Sequence, residues 1–311
     1  MKIIVTGGAG FIGSNLVNEL LRRNHFVRVI DNLSTGYIFN INPSADFYQV
    51  DIRDIKKLNE ITSDFEVMIH LAANVGNVKS IENPIHDAEV NVIGTRNIIK
   101  SVIENKMPKL IYLSSAAIYG APKYLPIDER HSCEPDSPYG VSKLAGEKDV
   151  LCMSRIYGFK ALCLRPFNVY GKNQRFDAYG NVIPIFFHKI KNNEKLDVFG
   201  DGEQTRDFVN VKDVVKAIIV GLEKKIQGVF NIASGNSLTV NELIEYIKVA
   251  TKCDIKVQYL PPRKGEVLHS SANIESLREY FGYNPQQDYI KLLIEYWEWY
   301  LKDPKINIDS L

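Results

Sequence analysis

The segment that most restricts the fold is KIIVTGGAGFIGS, residues 2–14. A β-branched run breaks at Gly7, Gly10 and Gly13 and passes directly into an amphipathic stretch. A strand that turns this tightly into a helix exposes backbone N–H groups at the helix N-terminus. Their partial positive charge accepts a pyrophosphate, and glycine lets the phosphate approach the backbone. The spacing is G-x-x-G-x-x-G, one residue wider than G-x-G-x-x-G. Such glycines also occur in bare strand-to-helix turns, so a second signal is needed. Asp31 supplies it by ending the next strand-like run about 20 residues on, where a carboxylate can accept both hydroxyls of an adenosine ribose. That carboxylate repels a 2′-phosphate and no arginine directly follows it, so NAD is expected over NADP. The plainer alternative is a strand-end turn residue. Asp51 and Ile52 follow the third strand-like run, where they either bracket an adenine or belong to a DIRD cap of the next helix.

Short apolar runs begin at Lys2, Phe26, Asp46, Val67, Lys109 and Lys160. They alternate with helical patterns over Phe11 to Arg23, Ala88 to Glu104 and Pro138 to Tyr157, as in βαβ units of a doubly wound parallel sheet. After Leu164 the alternation weakens. A helix from Val211 to Leu222 and a strand from Gly228 are expected to return to the main sheet. The division expected is a dinucleotide-binding domain of 1–165 plus about 210–232, and a smaller α/β lobe of about 166–209 plus 233–311.

The charge balance, 38 basic against 37 acidic side chains in 311 residues, gives no global field for nucleic acid or an anionic membrane. Cys133, Cys152, Cys163 and Cys253 lack zinc-site spacing and are too sparse for a disulfide scaffold, so no metal is expected and reduced thiols are. MKIIVTGG shows no signal-peptide pattern and no segment reaches the roughly 18 apolar residues of a spanning helix, so a cytoplasmic location is expected.

Tyr139 and Lys143 stand four apart in SPYGVSK, on a helix expected to start at Pro138, and therefore share a face. An ammonium beside a phenol, with an oxidised nicotinamide nearby, lowers the phenol's pKa from about 10 and makes tyrosinate a usable base. Tyr-x-x-x-Lys pairs also arise by chance.

The combination is more specific. TGGAGFIG, DNLSTG from Asp31, HLAA from His70, NVIGT from Asn91, SSAAIYG from Ser114, YGVSK from Tyr139 and LRPFNVYG from Leu164 occur in this order. The chain resembles the extended short-chain dehydrogenase/reductase family, above all its nucleotide-sugar epimerases. TRDFVNVKD from Thr205 and PPRKGE from Pro261 extend the resemblance almost end to end. It implies a Rossmann-type sheet with a smaller substrate-binding lobe and a bound NAD. The cofactor residues it implies are Gly7, Gly10, Phe11, Ile12, Gly13, Asp31, Asn32, Thr35, Gly36, Asp51 and Ile52 on the first three strand ends. Further along they are Leu71, Ala72, Ala73, Asn91, Ser114, Tyr139, Lys143 and Pro166.

The resemblance further implies that Tyr139 takes the proton of a sugar 4-hydroxyl while hydride leaves C4. Ser115 would hydrogen-bond the same oxygen, and Lys143 would tune Tyr139 and bind the nicotinamide ribose. For Ser115 the alternative is a serine satisfying backbone at a strand end. Net 4-epimerisation of a UDP-sugar needs no external redox partner, because the 4-keto sugar turns over and takes the hydride back. Asn168, Asn181, Val182, Val198, Arg206, Arg263 and Glu266 would bind the nucleotide sugar. Ser270 would sit beside the sugar 2-substituent, unless a one-residue shift puts His269 or Ser271 there. His70 reads as a buried strand-end histidine.

Two departures matter. Relatives that eliminate water carry an acidic residue after the active-site hydroxyl, whereas Ala116 and Ala117 follow Ser115. Asn77, where valine is common, with Lys79 and Ser80, leaves the sugar open. The alternatives are a UDP-glucuronate epimerase or decarboxylase and a non-catalytic nucleotide-binding protein. A homodimer joined through the Tyr-x-x-x-Lys helix and its neighbour is expected by the same resemblance.

Overall fold

The computed structural model describes residues 1–176, 180–262 and 267–302. Strands β1 (Lys2–Thr6), β2 (Phe26–Asp31) and β3 (Asp46–Gln49) alternate with helices α1 (Phe11–Arg22) and α2 (Ile55–Ile61). There follow β4 (Val67–His70), α3 (Asn77–Glu82), α4 (Pro84–Ala88), a π turn (Glu89–Gly94) and α5 (Thr95–Glu104). Next come β5 (Lys109–Leu113), α6 (Pro138–Tyr157), β6 (Lys160–Pro166), β7 (Asn168–Tyr170), α7 (Val182–Lys191), β8 (Leu196–Phe199) and β9 (Thr205–Asn210). The remainder is α8 (Val211–Glu223), β10 (Gly228–Ile232), β11 (Ser237–Thr239), α9 (Val240–Thr251), β12 (Val257–Leu260) and α10 (Tyr289–Lys302).

The main sheet has seven strands in the order β3-β2-β1-β4-β5-β6-β10, all parallel. Its strands are near-continuous apolar runs because both faces are covered. In β1, Ile3 and Val5 pack on the α1/α8 face with Leu16, Leu20, Val214 and Ile218. Ile4 points to the opposite face with Ile98, Val102 and Val150 of α5 and α6. The chain winds outward from β1 to β3 and then restarts at β4 on the other side of β1. The carboxyl ends of β1 and β4 therefore diverge, which is where such sheets bind ligands.

The remaining elements build a second core. Phe187 packs against Tyr296, Trp297 and Tyr300 at centroid distances of 4.9, 5.0 and 5.8 Å, and α9 adds Leu243 and Ile247. The sheets here are small, β11-β9-β7 and β12-β8.

One expected helix is not continuous. Between Ala88 and Glu104 the chain passes through the π turn Glu89–Gly94 before α5 resumes. A π turn inserts a residue into the helical ladder and often lies at a functional site. Here it carries Asn91 inward. Among the described residues no helix is long and apolar enough to cross a membrane, and no group of three His, Cys, Asp or Glu is placed to hold a metal ion.

Candidate active site

The glycine-rich turn leaves β1 with Gly7 at φ +72°. A Cβ on Gly7 would lie 2.7 Å from the Ala72 nitrogen, so this residue must be glycine for the turn to lie against the loop after β4. A Cβ on Gly13 would sit 2.1 Å from the Gly7 carbonyl oxygen, so α1 can start this close to the turn only without one. Gly10 is the N-cap of α1 and offers no side chain to its first N–H groups. That end of α1, which includes Phe11 and Ile12, is a cradle of the shape and polarity a pyrophosphate needs.

Asp31 is buried at 8% exposure. Its carboxylate accepts Ala9 N–H at 3.0 Å and Leu33 N–H at 2.8 Å, so it also organises the turn. Burial pushes its carboxyl up, against a smaller downward pull from the two N–H groups. The Gly36 Cα lies close by, since a Cβ there would be 3.0 Å from Asp31 Oδ1. Asn32 donates Nδ2 to Asp51 at 2.8 Å. Arg53 grips the same Asp51 carboxylate and holds it well below the usual range. The helix cap of the DIRD segment is Asp54, which accepts Lys57 N–H, while Ile52 is 5% exposed in the α5 face core. Thr35 is on the exposed loop between Asn32 and Gly36.

His70 is 1% exposed between Thr6 Oγ1 at 2.7 Å and Thr95 Oγ1 at 3.1 Å, and burial pushes its pKa down to about 3. It is a neutral strand-end histidine. The loop after it, Leu71 to Asn74, is held by Asn91. Asn91 Oδ1 accepts Asn74 N–H at 2.8 Å, and Asn91 Nδ2 donates to the Asn74 carbonyl, Asp87 and Ser142 at 2.9, 3.0 and 3.0 Å. The amide that the resemblance placed near the nicotinamide thus fixes the wall formed by Ala72 and Ala73.

Two of the candidate catalytic residues, Tyr139 and Lys143, are carried by α6. Ser137 caps that helix by accepting Gly140 N–H, Pro138 opens it as expected, and Gly158 ends it in the left-handed region. Asn77 and Ser80 of α3 secure its first turn. Ser137 Oγ donates to Asn77 Oδ1 at 3.1 Å, and Tyr139 N–H donates to Ser80 Oγ at 3.0 Å. Ser115 follows β5 and starts a single 3₁₀ turn, accepting Ala117 N–H at 3.1 Å. Its neighbour Ser114 is 3% exposed, with a buried hydroxyl that has no hydrogen-bond partner among the described residues. Pro166 ends β6, whose Leu164 carbonyl accepts Ser114 N–H at 2.7 Å.

Burial dominates both members of the pair, pushing the Tyr139 phenol up to about 12 against a downward pull from a hydrogen bond with Ser115. It pushes Lys143 down to about 7, with Glu147 and Asp87 raising it. The Lys143 ammonium lies 4.3 Å from the Tyr112 ring centroid. Asp87, 1% exposed, is a buried carboxyl group that sequence reasoning missed, since only the fold carries α4 to the Tyr139–Lys143 pair.

The other candidates lie beyond the sheet. Asn168 Nδ2 donates to the Asp207 carbonyl at 3.0 Å, and Asn181 Nδ2 to the Val169 carbonyl at 3.2 Å beside Val182, the first residue of α7. Arg206 Nη1 donates to the carbonyls of Thr205 and Leu268 at 2.8 and 3.2 Å. Val198 is 1% exposed and packs in the second core. Its neighbour Phe199 instead lines a cleft of about 700 Å³ with Gln204, Tyr259, Leu260 and Leu268. Ser270 is pinned through its backbone, donating N–H to Thr205 at 3.2 Å and accepting Ser237 Oγ at 2.9 Å. Arg263 and Glu266 lie outside the described residues.

Fold and site together are those of an α/β dinucleotide-binding enzyme in which Ser115, Tyr139 and Lys143 are the candidate catalytic residues. Residues 3–233 match the NAD dependent epimerase/dehydratase family, and the chain belongs to it. A Methanocaldococcus jannaschii relative is 44% identical over 92% of this chain and 94% of its own. Thermotoga maritima UDP-glucose 4-epimerase, solved with UDP-glucose, superimposes with a TM-score of 0.93 at 38% identity, covering 97% of this chain and 99% of that one. Methanobrevibacter ruminantium UDP-N-acetylglucosamine 4-epimerase, solved with UDP-N-acetylmuramic acid, gives 0.92 at 35% identity, covering 96% and 98%.

Proposed function

We propose that this chain interconverts C4 epimers of a UDP-sugar. What supports the reading is the hydrogen bond between Ser115 and Tyr139, with Lys143 one turn on along α6, in a chain similar to two UDP-sugar 4-epimerases. NAD, when bound, supplies a reversible hydride acceptor for C4. Gly7 to Gly13 would hold its pyrophosphate, Asp31 its adenosine ribose and Lys143 its nicotinamide ribose. The Tyr139 oxygen takes the 4-hydroxyl proton and later returns it. Ser115 holds the same sugar oxygen and spreads the developing charge over two donors. With Ala116 and Ala117 after Ser115, those positions carry no carboxylate for eliminating water.

The second core, with the segments 166–209 and 233–311, is read as the nucleotide-sugar lobe, with Asn168, Asn181, Arg206, Arg263 and Glu266 around the nucleotide. Pairing of two copies through α5 and α6 is supported by exposed apolar side chains on α6 and on the π turn leading into α5, Val141 at 54% and Ile93 at 48%. Sedimentation tests it.

The deciding experiment incubates the NAD-loaded protein with UDP-glucose, UDP-N-acetylglucosamine and UDP-glucuronate and resolves the products. A C4 epimer without net change in NAD redox state is expected. Carbon dioxide or a dehydrated keto sugar as the main product would replace this reading.

A further inference from the structure

The segment after β7 carries contacts that the chemistry above does not use. Its base is fixed in the second core, where Tyr296 Oη donates to the Gln174 carbonyl at 2.6 Å and Gln174 Nε2 to the Val169 carbonyl at 3.0 Å. From there it reaches the first turn of α1. Asn173 Nδ2 donates to Ser14 Oγ at 2.9 Å, and Asn15 Nδ2 donates to the Lys172 carbonyl at 2.9 Å. One residue further, the Arg175 guanidinium lies 3.5 Å from the Tyr37 ring centroid and 4.4 Å from that of Phe39. Those two rings stack at 5.1 Å. Their loop is tied to the glycine-rich turn, since Tyr37 N–H and Asn40 Nδ2 donate to the Ala9 carbonyl at 3.2 and 2.9 Å. Ala9 is also the residue whose N–H Asp31 holds.

Residues 171–175 therefore join the second core to both sides of the turn, to the start of α1 and to the loop after Asp31. A dinucleotide lying on that turn meets this crossing when it leaves. An epimerase gains from such a barrier because its cofactor is regenerated in place, whereas a dehydrogenase must exchange it each turnover.

We propose that residues 171–175 form a strap that retains the dinucleotide, closed by the stacking of Arg175 on Tyr37 and Phe39. Arg175 is a positioning residue that acts through those rings and not on the reacting atoms. The inference rests on NAD occupying the glycine-rich turn with its adenosine ribose at Asp31. A cation over aromatic faces contributes about 0.5–2 kcal/mol, which corresponds to about 2- to 30-fold in a rate of release.

The test measures exchange of bound NAD for labelled NAD in the purified holoenzyme and in Arg175→Ala, Tyr37→Leu and the double variant, with Asp31→Ala alongside. Each single variant is expected to speed release about 2- to 30-fold. The double variant is expected to release no more than about twofold faster than the faster single one, because both remove one contact. Should Arg175→Ala lose its fold, Tyr37→Leu at a half-buried ring carries the same measurement. Parental release in Arg175→Ala and Tyr37→Leu, with rapid release in Asp31→Ala, overturns the strap and leaves the NAD site standing. Parental release in Asp31→Ala overturns the site, and the strap with it. Full additivity in the double variant overturns the shared contact.

Discussion

Replacing Lys143 by methionine removes the most costly buried charge of the candidate site while keeping an unbranched side chain against Tyr112. Burial displaces the lysine from its ordinary 10.5 to about 7. The unfolded lysine holds its proton up to about pH 10.5 and the folded one only to about 7, so unfolding takes up a proton between those values. Stability therefore rises with pH through that window. By linkage, the displacement costs the folded protein about 4 kcal/mol at pH 7 and about 2 kcal/mol at pH 9. Urea unfolding of NAD-stripped parent and Lys143→Met at both pH values reads the difference directly. The variant is expected to be inactive, more stable than the parent at pH 7, and to lose about half of that advantage by pH 9. A variant no more stable at pH 7, or an advantage that does not shrink with pH, would refute the burial argument for Lys143.

Tyr139→Phe is expected to keep NAD content and melting temperature and to lower turnover by about 10²- to 10⁴-fold, because only the proton acceptor is removed; near-normal turnover sinks its role as base. Titration of stripped protein is expected to show NAD bound more tightly than NADP, with Asp31→Ala narrowing the gap, and equal affinities in the parent would contradict the reading of Asp31. Ser270→Tyr is expected to suppress conversion of UDP-N-acetylglucosamine while sparing UDP-glucose; an equal effect on both removes Ser270 from the sugar 2-substituent.

The sequence by itself determined what depends on near neighbours. The strand, turn and helix of residues 2–22, with Gly7 at positive φ and Gly13 against the Gly7 carbonyl, follow from sterics within a dozen residues, although Gly7 also meets the distant Ala72. Helix α6 was expected over Pro138 to Tyr157 from its proline and its local pattern, and the period of 3.6 residues put Tyr139 and Lys143 on one face. The continuous apolar runs of β1, β4 and β5 announced a sheet covered on both sides, which with alternating helices is a parallel one.

Tertiary structure decided what depends on distant partners. The π turn at Asn91 interrupts an apolar period that reads as plain helix, and its reason is a polar cluster with Asn74, Asp87 and Ser142 drawn from other elements. Asn77 and Ser80, which in the sequence only leave the sugar open, hold the start of α6 across 60 and 59 positions. The titration of Tyr139 and Lys143 is likewise dominated by burial, which no local pattern reports, so spacing identified the pair but not its desolvation. Arg175 lies on Tyr37 for the same reason: a contact spanning the two cores exists only once both have folded.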